Sequence, residues 1–390
     1  MTRLADDSTG RQPDSPTARR FDAWPGGSVD TALPRTVPGE RPAPGRAGWS
    51  SLLPLDPNPM LTRPSDLVRA HRLAGLLRGG NVRFRDLHRL ERTVSDLLVF
   101  RLEDRAADPL VIKHPRSARA AGSLTHGCAA LRELAEDDRV REWRRLLPPA
   151  EELRYEGRLV LVAERCLPGV EADVLLRRTP GRTLPLAVAA LDTVAALHRA
   201  TGRPERAERR TADWVDTRLA VLAAEVPWCA GARGASAVRA LRDRLHGGLA
   251  GRTLTTAWTH GDYHPGNILV DEESGALSGV IDWADARPDG PCAVDSYLFV
   301  LTLRQQRERR ELGRIVAEAV RRGGLLPEDR DLLAHSDVPP PGEEADEALL
   351  PLLTWLWHVA GNAAKSARYG RSRRWVTGNV VPVLTEVARR

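Results

Sequence analysis

Between His260 and Val270 the chain reads His-Gly-Asp-Tyr-His-Pro-Gly-Asn-Ile-Leu-Val, and no other stretch restricts the fold as strongly. An acid, two imidazoles, an amide and two glycines are packed into a short run that turns directly into an apolar strand. Asp262 and Asn267 stand at the spacing Asp-x-x-x-x-Asn. Further on, Val280-Ile281-Asp282-Trp283 is a second apolar strand ending in an acid, and Glu273-Ser274-Gly275 between them reads as a turn. Such a hairpin sets Asn267 at the start of one strand and Asp282 at the end of the other, so amide and carboxylate can meet one ion. Asp, Asn and Gly also favour turns for local reasons. A lone Asp-x-x-x-x-Asn would carry only that meaning; the second acid downstream argues for chemistry.

Asp-x-x-x-x-Asn is the spacing of a protein-kinase catalytic loop, where the Asp meets the substrate hydroxyl and the Asn holds magnesium. With His-Gly-Asp-x-His-Pro-Gly-Asn followed by Ile-Asp-Trp, the chain resembles the aminoglycoside phosphotransferase and choline kinase-like family. By motif the resemblance covers residues 82–300. It implies an α+β, two-lobe protein kinase-like fold: a small antiparallel-sheet N-lobe and a larger, mainly helical C-lobe. It implies Asp262 as base or positioner of an acceptor hydroxyl, with His260 beside it as a buttress of the catalytic loop. Asn267 and Asp282 are then the ligands of Mg2+, an ion that favours oxygen donors, one or two carboxylates and substrate phosphates. His264, Pro265 and Gly266 shape the loop, and Asp285 and Asp295 tie the lobe together.

Residues 1–64 hold eleven of the 29 prolines, with little apolar periodicity, and are expected to be a disordered tail. The N-lobe is expected over 65–167. A helix starts near Ser65 and breaks at Gly79-Gly80-Asn81, and strands follow over 82–90, 97–102 and 110–113. The join at 91–96 should cover the nucleotide phosphates, yet it contains no glycine. Ser95 either donates to a phosphate there or merely bonds its own hairpin turn. Lys113 ends the β-branched run Leu110-Val111-Ile112 and is one of two lysines, with Lys365, among 58 Lys and Arg. In so arginine-rich a chain, a compact ammonium suggests that a point charge is needed. By the resemblance Lys113 contacts the α- and β-phosphates. Its expected partner is Glu133, with Glu136 the competitor, on a helix over 125–147. The strand 158–164 leads into the expected hinge, where Glu164, Cys166 and Leu167 flank the adenine edge of ATP or GTP.

The C-lobe is expected over 168–390, with helices at 184–200, 214–222, 235–249, 296–322, 347–368 and 375–390. His198 reads as a packed histidine. The acidic, proline-rich 327–346 either greets a polyamine or is a solvated loop. Trp355, Trp357, Tyr369 and Trp375 either floor a pocket or form core. Four dispersed cysteines without a Cys-x-x-Cys pair, no signal-like N-terminus and no membrane-length apolar run fit a reducing cytoplasm. The net charge of +6 comes from dispersed arginines rather than a basic block interleaved with aromatics, which argues against a nucleic-acid partner. The expected activity is transfer of the γ-phosphoryl group of ATP or GTP to a small-molecule hydroxyl, aminoglycoside or amino-sugar-like. The alternatives are choline or homoserine as acceptor, or a nucleotide-binding pseudokinase.

Overall fold

After one opening helix, strand periodicity dominates, and helical periodicity takes over beyond it. The computed structural model describes residues 63–78, 82–103, 107–335 and 347–389, so the expected tail, apart from its last two positions, lies outside the described residues. The described residues all belong to one compact unit. Helix α1 (Pro64–Arg78) opens with Asp66, whose carboxylate accepts from the Arg63 N–H. Strands β1 (Leu87–Arg92), β2 (Leu97–Leu102), β3 (Leu110–Pro115), β4 (Ala150–Tyr155) and β5 (Arg158–Arg165) form one antiparallel sheet in the order β1-β2-β3-β5-β4.

The pleat sends alternate side chains to opposite faces. Phe100, Leu102, Ile112, Leu161 and Ala163 pack under α1 on Ala70, Leu73 and Ala74. On the other face Val162 meets Leu124 and Cys128 of helix α2 (Ala118–Glu136), which is capped by the Ser117 hydroxyl. Lys113 lies directly opposite Val162, and Glu164 directly opposite Val111. Lys113 and Glu164 are therefore diagonal neighbours on one face.

Beyond β5, the short strand β6 (Val170–Glu171) pairs with β9 (Ile268–Val270), which pairs with β10 (Leu277–Val280). A third small sheet orders β11 (Arg287–Pro291), β8 (Thr253–Thr259) and β7 (Arg203–Arg206). Helices α3 (Thr183–Thr201), α4 (Thr217–Glu225), α5 (Ala293–Glu308) and α6 (Leu349–Lys365) surround them. Trp214, Trp355 and Phe299 are fully buried in the large helical core. Trp355, Trp357, Tyr369 and Trp375 belong to that core, and Trp357 also lines a cavity. Among the described residues no helix is long and apolar enough to cross a membrane.

Several boundaries differ from expectation for local reasons. A 3-10 turn over Phe84–Asp86 delays β1 to Leu87. The helix expected over 125–147 begins earlier, at Ala118, and ends at Asp137, whose extended backbone starts a separate 3-10 stretch over Asp138–Leu146. The helix expected over 296–322 is two, because Arg309 takes a left-handed φ of 51° after Glu308. Ser366 ends α6 and caps a new turn through its hydroxyl.

Ile112 is fully buried between sheet and α1. Ile112→Ala is expected to cost about 2–5 kcal/mol, the usual range for emptying a tight core site. Urea denaturation measures it, and an unchanged midpoint would mean that this layer does not support the sheet.

Candidate active site

Asp295, in the first turn of α5, is fully buried and holds the loop that leaves β8. One carboxylate oxygen accepts the His260 N–H at 2.8 Å and the other the Gly261 N–H at 2.8 Å. His198 Nε2 lies 3.1 Å from the first of these, so His198 is a packed histidine serving the loop. Gly261 has a φ of +78°, and a Cβ there would meet the Asp285 carbonyl oxygen at 2.5 Å, so the turn requires glycine. His260 donates from Nε2 to the Ile281 carbonyl at 2.9 Å and accepts the Asp262 N–H at Nδ1, 3.3 Å. The ring thus ties the loop to the residue before Asp282, and its edge packs on Trp283.

The β9–β10 hairpin brings the two expected metal ligands into one region. Asn267 donates its amide N–H to the Asp262 carbonyl at 2.9 Å, which leaves its side-chain oxygen as an acceptor. Ile281 donates its N–H to the Asn267 carbonyl at 2.9 Å. Asp282 follows with φ 63° and ψ 65°, a left-handed conformation that costs a non-glycine residue about 1–3 kcal/mol. Its carboxylate takes no hydrogen bond from the described residues. Burial opposes its charge, but Lys365 and Lys113 together hold its pKa below the usual carboxylate value.

Lys113 and Glu164 form a buried pair at 2.7 Å. Burial works against the ammonium, and Glu164 and then Asp282 raise its pKa in spite of it. This corrects two expectations. Glu133 is exposed on α2 and far from serving Lys113; the partner comes from the neighbouring strand, because diagonal register already puts a carboxylate on the right face. Glu164 accordingly turns its side chain to Lys113, and its backbone lies in the ladder between β3 and β4. At the expected hinge the Cys166 N–H is taken by the Pro109 carbonyl at 3.0 Å, and Leu167 packs over Gly279 of β10. Ser95 sits in the β1–β2 turn, where Thr93 makes the closing bonds: its carbonyl accepts from Asp96 and its hydroxyl from Leu97. Asp96 takes the left-handed position that a glycine would often fill (φ 57°), and Arg368 pairs with it at 3.1 Å.

Two residues that sequence reasoning did not place complete the site. Helix α6 presents His358 and Lys365, seven positions apart and hence on one face. His358 Nδ1 donates to one Asp262 oxygen at 3.2 Å, and its Nε2 accepts from Asn362 at 3.0 Å. Lys365 reaches the other Asp262 oxygen at 3.2 Å and Asp285 at 2.6 Å. Burial opposes the Asp262 charge, but Lys365 and the His358 hydrogen bond hold its pKa well below the ordinary value. Lys365 is held well above its ordinary value, against burial, by Asp262, Asp285 and Asp282. Burial pushes His264 down to about 4, so it faces Asp262 from 3.9 Å as a neutral ring. The available signal was composition: both lysines of the chain point at this region, Lys113 from the sheet and Lys365 from α6.

The sequence model of the phosphotransferase enzyme family, APH, matches residues 86–333, well over half of the chain. The chain belongs to this family. His358 and Lys365 of this phosphotransferase lie beyond the matched segment. Solved structures similar to it include the amicoumacin kinase hAmiN in complex with AMP-PNP, Ca2+ and Ami, at 11% identity and a TM-score of 0.50, covering 83% of this chain and 95% of that one. Macrolide 2'-phosphotransferase MphH from Brachybacterium faecium is 18% identical with a TM-score of 0.45, covering 83% and 97%. ADP-bound aminoglycoside phosphotransferase APH(2'')-Ib is 12% identical with a TM-score of 0.47, covering 84% and 99%. At such identities the likeness speaks for the fold alone, and the phosphotransferase has the protein kinase-like fold that its small antiparallel sheet and helical remainder describe. No curated protein sequence matches it.

Removing the Asp295 carboxylate would leave two buried N–H donors of the loop unpaired, at about 1–3 kcal/mol each. Asp295→Ala is expected to lower stability in urea by roughly 2–5 kcal/mol on that basis. A midpoint equal to that of the parent protein would show that the loop is held by other means.

Proposed function

We propose that this phosphotransferase moves the γ-phosphoryl group of ATP or GTP to a hydroxyl of a small molecule. The observation that carries the reading is the convergence of Asp262, Asn267, Asp282 and Lys113 around one region, with Asp282 within the field of both lysines. The acceptor oxygen bonds to the γ-phosphorus as the bond to the β,γ-bridging oxygen breaks, and the nucleoside diphosphate leaves with that electron pair. The transition state is loose, so alignment and charge matter more than early proton removal. A carboxylate with so depressed a pKa is a weak base. Asp262 therefore serves chiefly to orient the hydroxyl, accepting its proton late in the transfer.

The donor set fits magnesium. The side-chain oxygen of Asn267 and the carboxylate of Asp282 are hard oxygen ligands without competing hydrogen bonds from the described residues. Among the described residues no group of three or more His, Cys, Asp or Glu could hold an ion alone, so nucleotide phosphates and water would complete the shell. Bound magnesium would neutralise charge on the β- and γ-phosphates. The hAmiN complex, with its triphosphate analogue and divalent ion, supports this assignment. Lys113 is assigned to the α- and β-phosphates, and Lys365 to the charge that develops on the transferred group.

The resemblance suggests an aminoglycoside or amino sugar as acceptor, with choline- and homoserine-like alcohols as alternatives. A regulatory nucleotide-binding module, favoured by the glycine-free β1–β2 turn, would bind ATP and magnesium without transferring to any acceptor; the intact set of four residues favours the enzyme.

Asp262→Ala should lower kcat by about 10²–10⁴, the range for a general base or positioner. Lys113→Arg, although it keeps the charge, should weaken nucleotide binding, read as a smaller thermal shift with ATP and magnesium. Near-parental turnover of Asp262→Ala across an acceptor panel would remove Asp262 from the mechanism. Lys365→Ala should lower kcat by roughly 10²–10³, as for a lost transition-state donor, with little change in nucleotide KM. A change confined to nucleotide KM would instead place Lys365 on the ground-state nucleotide.

A further inference from the structure

Beside the catalytic loop lies a cavity of about 220 Å³, room for roughly seven waters. Gly261, next to Asp262, forms part of its wall, and α4, α6 and α2 contribute Arg218, Trp357 and His126. Asp285 and Arg287 are the other charged residues of the lining. The charge in this wall is one-sided. Its carboxylate, Asp285, is already matched by Lys365 at 2.6 Å.

Arg218 is only 8% exposed. Its guanidinium carbon lies 3.4 Å from the ring centroid of Trp357, and Trp357 is fixed in turn by its Nε1–H donated to the Trp214 carbonyl at 3.1 Å. One Arg218 nitrogen donates to the Asp213 carbonyl at 3.3 Å. Among the described residues no carboxylate stands within ion-pair distance of Arg218 or Arg287. Burial, and after it the charge of Arg287, push the Arg218 pKa down to about 9, against the weaker pull of Asp213 and Asp285, neither of which stands within ion-pair distance. A buried guanidinium without a directly paired carboxylate is costly. The buried Arg218 and the half-buried Arg287, both facing one cavity, create a demand that an incoming oxyanion meets, because the planar fork of arginine matches carboxylate and phosphate geometry.

We propose that this cavity binds an oxyanion carried by the acceptor, so that the substrate is a small hydroxylated carboxylate or phosphate ester held by Arg218 and Arg287 with its hydroxyl at Asp262. This rests on the assignment of Asp262 to the acceptor hydroxyl, and it replaces the polyamine acceptor that the resemblance suggests. Two guanidinium groups repel an ammonium and leave Asp285 alone to attract it, already occupied by Lys365. The transfer is balanced as above: the hydroxyl oxygen gains the phosphoryl group, its proton leaves through Asp262, and the nucleoside diphosphate departs. The oxyanion itself is unchanged.

The test uses the full chain and a matched series: glycerate and glycerol 3-phosphate as anions, glycerol as the neutral member and 2-amino-1,3-propanediol as the cation. Thermal stabilisation is measured with each at millimolar concentration, and transfer from ATP with magnesium is measured alongside. Both anions should stabilise the protein while the neutral and cationic members do not. Arg218→Gln and the half-buried Arg287→Gln should each weaken that stabilisation, with apparent affinity falling about 10- to 100-fold, the equivalent of one charge-assisted contact. Lys113→Met should retain it, which separates the cavity from the nucleotide phosphate site. Arg287→Gln serves if Arg218→Gln does not fold; retention of the shift with ATP and magnesium certifies each arginine variant as folded, and a cooperative melting transition at the parental temperature certifies Lys113→Met.

Equal stabilisation by the cation, no stabilisation by either anion, or loss of the effect in Lys113→Met rather than in the arginine variants would overturn the oxyanion site. Failure of the kinase assignment looks different: no transfer to any acceptor, anionic or cationic, and no shift with ATP and magnesium, whatever the anions do.

Discussion

A single carboxylate, that of Asp295, fixes the loop on which Asp262 stands. It accepts the first two N–H groups of the catalytic loop at 2.8 Å each and faces His198 from α3, so helix α5, helix α3 and the exit of β8 meet at one buried charge. Everything downstream inherits that position. His260 reaches from the pinned loop to the Ile281 carbonyl, which sets the end of β10, and Asp282 follows in a left-handed conformation. Asn267 closes the loop on the Asp262 carbonyl. The loop is thus a chain of backbone capture by side chains, in which the buried polar groups are satisfied one after another.

On this frame the charges are arranged to keep Asp262 ionised. Lys365 and His358 take one oxygen each, and Lys365 also serves Asp285. The cluster places positive charge on both sides of Asp282, from Lys113 on the sheet and Lys365 on α6. Such a site favours negative charge arriving between the lobes, as a nucleotide's phosphates would bring. The neighbouring cavity continues the same bias through Arg218 and Arg287.

The loop and its hairpin were legible in the sequence because one short segment carries the acid, the amide and the turn residues together. The strand carrying Lys113 was legible from its β-branched run. The partner of Lys113 was not, because strand register across 51 residues of sequence is invisible before β3 and β5 are paired. An edge strand such as β4 is half exposed, so Ala-Glu-Glu-Leu-Arg-Tyr shows no apolar alternation. The break at Arg309 lacks any glycine or proline. His358 and Lys365 escaped for a different reason. A seven-residue spacing on a helix is unremarkable until the helix is docked, and only the scarcity of lysine marked one of the two.

The Lys113–Glu164 pair joins two adjacent strands of one rigid ladder. Helix α2 contributes Leu124 and Cys128 to the packing beneath Val162, while the ion-pair partner of the ammonium comes from β5. Displacing that helix outward would leave the pair intact, because both of its members are fixed by the register of β3 and β5, and the place of the ammonium is therefore set within the sheet itself.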